Sequence, residues 1–178
     1  YREECGRAVT YITNGVTMIP YRPIENLLKW GFEKNRYRLH LSRIVPEKGV
    51  SYLIQAFKRV QTDMKLAIVG NARHAEDYME RMKKLAAADN RIVFTDALYG
   101  PEKEEAYSNA YLFCLPSDVE GLPIVLLEAM GTGRCCLTSD IPELVEVIDP
   151  ARLGYAKSED QGVPPVYGVT FGAADVDD

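Results

Sequence analysis

Residues 117–130 carry the sequence Ser-Asp-Val-Glu-Gly-Leu-Pro-Ile-Val-Leu-Leu-Glu-Ala-Met. The apolar run at 111–115, just before this stretch, predicts a buried strand, and the apolar residues after Pro123 predict a helix. Glu120 stands just before the predicted helix start, whereas Glu128 stands inside the helix with almost nothing polar beside it. A buried carboxylate is costly unless a partner satisfies it. The hydroxyl groups of a ligand are one such partner.

The same alternation of an apolar run with a helical pattern extends along the chain in both directions. Strands are predicted at 8–13, 37–41, 66–69, 92–94, 111–115, 135–138 and 166–171. Helices are predicted at 24–30, 50–60, 78–86 and 102–109, in the apolar part of 117–130, and at 142–148. Five consecutive strand-then-helix units predict an α/β fold with a parallel sheet covered by helices on both faces. Such sheets bind ligands at the carboxyl ends of their strands, so the loops after these strands are the candidate binding loops.

Composition bounds the class of protein. The chain has 178 residues, about enough for one domain, and a formal net charge of −5, which argues against a nucleic-acid or anionic-membrane surface. No apolar run reaches the roughly 18 residues that a membrane span needs. No signal peptide begins the chain, and its four cysteines lack zinc-ligand or C-x-x-C spacing, which favours a cytoplasmic setting. Because the chain starts without methionine and ends on acidic residues, we expect a fragment of a longer protein.

The loop after the predicted strand 37–41 holds two cations, Arg43 and Lys48, and Gly49 begins the helix that follows. A helix N-terminus presents unpaired N–H groups and partial positive charge. With a guanidinium and an ammonium group beside it, such a loop could clamp a diphosphate. The alternative is that both residues are solvated surface cations.

The loop after the predicted strand 111–115 is a second candidate for ligand binding. Pro123 suits the first helical position, and Gly121 would let a ligand approach the backbone closely. Glu128 lies about 7.5 Å along the helix axis from Pro123, so Glu120 and Glu128 are spaced to contact different parts of an elongated ligand. The alternatives are that Glu120 only complements the helix dipole and that Glu128 is a core acid paired with an arginine or a backbone N–H.

Other patterns carry weaker signals. The acidic residues at 175–177 resemble a metal-binding D-x-D, but their place at the end of the chain argues against it. His40 and His74 have no partner at ligand spacing, and we expect both to be structural. Cys135 and Cys136 should face opposite sides of a strand. No metal and no resident cofactor are expected.

Several segments together resemble the donor-binding domain of retaining glycosyltransferases of family 4, also called glycosyl transferases group 1. They are the segment at 11–16, the loop at 42–49, the E-x7-E signature at 120–128 and the segment at 139–143. The resemblance implies a Rossmann-like sheet that forms the C-terminal half of a two-domain GT-B enzyme. Residues 1–35 would then be the strand and connection leading into the domain, and 36–178 the nucleotide-sugar-binding domain without its final helix. An acceptor-binding domain would lie upstream.

The resemblance also implies roles for individual residues. Arg43, Lys48 and Glu120 would serve catalysis, the two cations on the donor diphosphate and Glu120 on the sugar hydroxyls. The donor-binding residues would be Gly121, Leu122, Pro123 and Ile124 through their backbone, Glu128 on the ribose, and Ala97 and Leu98 at the base. The chain departs from the family pattern at Asn71, at Asp96 and at the Cys135–Cys136 pair.

The implied reaction is transfer of a sugar from a UDP- or GDP-linked donor with retention of anomeric configuration. The acceptor would be a glycan, a lipid or a small molecule bound through the upstream domain, which could also hold the protein at a membrane surface. Three other functions stay open. The chain could be a nucleotide-sugar-binding module that is inactive in isolation, an epimerase or pyridoxal-phosphate phosphorylase on the same fold, or a domain used only for protein contacts.

Overall fold

The computed structural model describes residues 6–8, 10, 12–73, 75–149 and 168–172. These residues form a six-stranded sheet in which every neighbouring pair of strands is parallel. The strands are β1 (Tyr37–Leu41), β2 (Lys65–Val69), β3 (Ile92–Thr95), β4 (Leu112–Leu115), β5 (Cys135–Ser139) and β6 (Gly168–Phe171). Their spatial order is β3-β2-β1-β4-β5-β6. The predicted doubly wound, Rossmann-like α/β fold is therefore confirmed, and the boundary between β1 and β4 is its topological switch point.

Within the described ranges, five α-helices alternate with the strands. They are α1 (Val50–Arg59), α2 (Glu76–Ala86), α3 (Gly100–Asn109), α4 (Ile124–Gly131) and α5 (Pro142–Ile148). Two short 3₁₀-helices, Asn26–Trp30 and Pro46–Lys48, precede β1 and α1. No helix within the described ranges is long and apolar enough to cross a lipid bilayer.

The sheet separates two clusters of buried apolar side chains. On β2, Leu66 and Ile68 belong to one cluster and Ala67 and Val69 to the other. This alternation follows from the two-residue period of a strand, and burial on both faces explains why the strands are continuous apolar runs.

Most of the predicted elements are present, with three corrections. The strand predicted at 8–13 is wrong for its described residues, which are 8, 10, 12 and 13, and Ile12 is 84% exposed. Helix α4 begins at Ile124, so Pro123 is its N-cap residue and not its first helical residue. The last strand begins at Gly168, and the earlier part of the prediction at 166–171 lies outside the described residues.

A buried carboxylate ties the segment before β1 to α3. The side chain of Glu105 accepts hydrogen bonds from the backbone N–H groups of Glu25, Asn26 and Leu27 at 2.5, 3.1 and 2.9 Å. Burial alone would raise the pKa of Glu105, but these hydrogen bonds hold it below its usual value. Because the carboxylate takes up N–H groups that no intrahelical partner reaches, it caps the 3₁₀-helix Asn26–Trp30 from another part of the chain. The predicted domain division after residue 35 stays a prediction.

Candidate functional site

Two loops meet where β1 and β4 end side by side. The backbone N–H of Asp118, after β4, donates to the carbonyl of Glu47, after β1, at 3.0 Å. Gly49 has φ +64°, and a Cβ there would lie 1.8 Å from the carbonyl oxygen of Pro116. Only glycine allows this approach, so the sequence fixes the two loops against each other.

The closest contact between the loops is an ion pair between two of the predicted site residues. Lys48 Nζ lies 2.5 Å from Glu120 Oε1, and the two side chains are only 14% and 6% exposed. The hydroxyl of Ser117 donates to the same carboxylate oxygen at 2.7 Å. The prediction did not include Ser117, although its position three residues before Glu120 is a common spacing for such a contact. Glu120 therefore neutralises Lys48 in this arrangement.

Arg43 lies on the same loop but in a different environment. Its side chain is 71% exposed and approaches Glu47 only at 3.9 Å. It lines a cavity of about 260 Å³ at the ends of β1 and β2, together with Ala97 and Leu98. Of the four residues predicted for the diphosphate and the base, these three share one cavity, and Lys48 does not line it. Leu98 is also 7% exposed and belongs to the core, so little of its side chain faces that cavity.

Glu128 projects from α4 toward α3, where two side chains hold it. Lys103 Nζ donates to Glu128 Oε1 at 2.6 Å, and the hydroxyl of Tyr107 donates to Oε2 at 3.0 Å. Glu128 is therefore paired, but with a lysine and a tyrosine and not with the arginine or backbone N–H named as its alternative. The sequence did not lead us to predict Lys103 or Tyr107 as site residues. The available signal was their four-residue spacing, which places both on one face of α3.

Glu128 also lines a second cavity, of about 420 Å³. Residues 15–20 form one wall, and Ile124 and Lys103 contribute to the other. The amide of Asn14 donates to the carbonyl of Leu122 at 3.3 Å and so holds the segment before this wall against the α4 loop. Lys103 lines both cavities.

The start of α4 contributes backbone groups. The N–H groups of Leu126 and Leu127 are directed to the carbonyl of Pro123, and Ile124 and Val125 are the first two residues of the same turn. A Cβ on Gly121 would meet nothing within 4 Å, so protein packing does not require glycine there. A role of Gly121 in admitting a ligand stays a prediction.

His40 lies beneath the site and is fully buried. Its Nδ1 is 3.0 Å from the carbonyl of Cys114 and its Nε2 is 2.7 Å from the hydroxyl of Ser42, next to Arg43. Burial lowers the pKa of His40 to about 4, and the nearby charge of Lys48 acts in the same direction. The imidazole is therefore neutral at pH 7, and its structural role stays a prediction.

Within the described ranges, no group of three or more His, Cys, Asp or Glu side chains is arranged to hold a metal ion. The acidic residues at 175–177 and His74 lie outside those ranges. Cys136 is buried and Cys135 exposed, in agreement with their predicted opposite faces.

Comparison with known proteins identifies the family. The model of the glycosyl transferases group 1 family matches residues 25–161, which is more than half of the chain. The chain belongs to this family, and the predicted membership of glycosyl transferases group 1 is confirmed.

Two relatives and one solved structure illustrate the similarity. The chain is 30% identical over 166 residues to a lipopolysaccharide 1,2-N-acetylglucosaminetransferase of Salmonella typhimurium, covering 85% of this chain and 44% of the relative. It is 37% identical over 103 residues to a GDP-mannose-dependent α-(1-6)-phosphatidylinositol monomannoside mannosyltransferase of Mycolicibacterium smegmatis, covering 52% and 27%. Anabaena HepE in complex with UDP and glucose has the same fold, with a TM-score of 0.68, 20% identity, and coverage of 85% and 38%. The chain thus spans less than half the length of each of these proteins.

Proposed function

We propose that this chain is the donor-binding domain of a retaining glycosyltransferase that uses a UDP- or GDP-linked sugar. The observation that carries the proposal is the arrangement at the switch point. There, two loops place Lys48 against Glu120, and the next turn of α4 places Glu128 against Lys103. Two carboxylates suit a ligand rich in hydroxyl groups, and the cations with the α4 amides suit its phosphates.

Donor binding would proceed by exchange of partners. A diphosphate at the start of α4 attracts the ammonium group of Lys48, which then leaves Glu120. The released carboxylate accepts hydrogen bonds from the sugar hydroxyls. Arg43 is exposed and only loosely paired, so it needs no such release and can close on the diphosphate from the cavity that it lines.

The same groups would assist bond cleavage. Breaking the bond between the sugar and the diphosphate builds negative charge on the departing phosphate. Lys48, Arg43 and the amides at the start of α4 would stabilise that charge, and the loss of one such donor typically costs about 10²–10³ in rate. Glu120 orients the sugar in this scheme and is not a nucleophile. The scheme needs no metal ion.

The comparisons support this choice of donor at the level of the family. One relative's name specifies GDP-mannose, and one solved structure of the same fold contains UDP and glucose. Retention, the acceptor and the involvement of an upstream domain rest on the resemblance to family 4.

A calorimetric panel tests the binding part of the proposal. We expect the chain to bind UDP or GDP and the matching nucleotide sugar, and Lys48→Ala to weaken this binding about tenfold or more. Lys29→Ala, at an exposed lysine that pairs with Glu102 and lines neither cavity, is the matched control and should leave binding unchanged. Absence of nucleotide binding by the unaltered chain would refute the proposal and favour a domain used for protein contacts.

A second candidate is a binding module without transferase activity. The chain spans less than half of its relatives, which favours binding without transfer for this chain alone. Sugar transfer by a longer protein that contains this chain separates the two candidates. A transferase would show turnover that Lys48→Ala lowers while the fold is kept, whereas a binding module would show no turnover.

A further inference from the structure

Tyr107 combines complete burial with a polar contact to the candidate site. Its side chain is 0% exposed and belongs to the main core cluster, where its ring lies 5.8 Å from that of Phe113. Its hydroxyl is 3.0 Å from Glu128 Oε2 and 3.3 Å from the carbonyl of Val125. The hydroxyl has one proton to donate, and we assign it to Glu128 because that contact is shorter and its acceptor is charged.

The apolar surroundings of Tyr107 do not require a hydroxyl group. A phenylalanine would fill the same space around the ring without burying a polar atom, which is costly when it lacks a partner. Burial, followed by the charge of Glu128, raises the pKa of Tyr107 well above its usual value. The hydroxyl therefore stays a donor throughout the physiological pH range.

The two donors on Glu128 also determine how its carboxylate is turned. The last torsion of a glutamate side chain has a broad energy profile and does not fix the carboxylate plane. In this chain one oxygen accepts from Lys103 and the other from Tyr107, so the plane is held from both sides. The Lys103 side chain is flexible and 30% exposed, whereas Tyr107 is locked in the core. The rigid member of this pair is Tyr107.

We propose that Tyr107 is a positioning residue that orients Glu128 toward the 420 Å³ cavity, where the carboxylate binds the ribose hydroxyls of the donor nucleotide. This inference rests on the proposed function. Tyr107 does not contact the ligand itself but leaves the remaining lone pairs of Glu128 directed at the cavity. Loss of its hydroxyl should therefore weaken recognition of the ribose more than recognition of the phosphates or the base.

The test compares ribose with a sugar that lacks the hydroxyls. Calorimetry gives the Kd of UDP and of GDP, and then the Kd of the 2′,3′-dideoxy form of whichever binds. The Kd of the dideoxy form divided by the Kd of the parent nucleotide reports ribose recognition, and this ratio cancels uniform losses of affinity. The variants are Tyr107→Phe and the matched control Tyr37→Phe. Tyr37 is a second fully buried tyrosine of the same cluster, and its hydroxyl donates to the carbonyl of Ala106 at 2.7 Å and not to Glu128.

We expect a ratio of about ten or more for the unaltered chain and for Tyr37→Phe, on the scale of one hydrogen bond to a charged group. In Tyr107→Phe the ratio should fall three- to tenfold. An unchanged ratio in Tyr107→Phe overturns the inference and leaves the proposed function standing. A ratio near one in the unaltered chain also overturns it. Failure to bind either nucleotide overturns both.

Lys103→Met keeps the test decisive if Tyr107→Phe folds poorly, because Lys103 lies nearer the surface. Tyr107 then remains the only one of the two donors, and the ratio should stay above about five even if overall affinity falls. Collapse of the ratio to one in Lys103→Met would assign the orientation of Glu128 to the ammonium group and overturn the inference.

Discussion

The buried imidazole of His40 should make the stability of the fold depend on pH between neutrality and pH 5. In the unfolded chain a histidine titrates near pKa 6.5, whereas burial lowers the pKa of His40 to about 4 in the fold. Between these values the unfolded chain binds a proton that the folded chain does not. Acidification through this window therefore favours unfolding, and the stabilisation by neutral His40 is complete only above pH 6.5.

The size of the effect follows from the same two pKa values. Each unit of difference between the folded and unfolded pKa corresponds to about 1.4 kcal/mol. The full difference therefore lowers the free energy of unfolding by about 3 kcal/mol at pH below 4. Between pH 7 and pH 5 the loss is about 2 kcal/mol. Over that interval most carboxylates remain ionised, so His40 dominates the slope.

Urea titrations at pH 7, 6 and 5 measure this loss as the change in the free energy of unfolding. The informative variant is His40→Asn, because an asparagine amide can still donate to the carbonyl of Cys114 but cannot titrate. His74→Asn, at the only other histidine of the sequence, is the control. We expect the slope to flatten in His40→Asn and to persist in His74→Asn. An unflattened slope in His40→Asn would refute the reasoning.

Three further predictions concern the loops and the segment before β1. Among the described residues, Lys48→Met leaves the poorly exposed Glu120 with Ser117 as its partner and should cost about 3 kcal/mol of unfolding free energy, whereas the double change with Glu120→Gln should restore most of it in urea titrations. Gly49→Ala should cost at least about 2 kcal/mol because of its positive φ and the Pro116 carbonyl, whereas Gly121→Ala, in open space, should change the urea midpoint little. Glu105→Gln should cost about 1–3 kcal/mol at pH 7. Since the folded pKa of Glu105 lies below its usual value, its stabilisation is fully present above that usual value and is lost as the pH falls toward the folded pKa, so the difference between the thermal melts of variant and wild type should shrink on acidification.

Local patterns in the sequence predict the regular elements well and their neighbours poorly. The strand at Tyr37–Leu41 and the helix at Pro142–Ile148 have the predicted bounds, because apolar periodicity and a proline in the first turn are local signals. The run at 8–13 has the same apolar character, yet its described residues pair with no strand of the sheet. Apolar character alone does not establish that a partner strand is available.

The candidate site shows the same limit at longer range. Lys48 and Glu120 are 72 residues apart, and their contact depends on β4 lying beside β1, which the order of elements along the chain does not reveal. The resemblance, which spans both loops, predicts a role for each of them but not their contact. Lys103 and Tyr107 were missed because their spacing marks a helix face but not which side chain that face meets.

The strand order also sets when the site can exist during synthesis. The segment from β1 to β3 can form a sheet with Arg43 and Lys48 at its end, but both acids still lie ahead in the chain. Only after Glu120 and Glu128 have followed β4 out of the ribosome are both carboxylates available to the cations. A nascent chain halted before Glu120 carries the two cations with neither of these carboxylates to balance them, so it should bind anions more strongly than the finished fold.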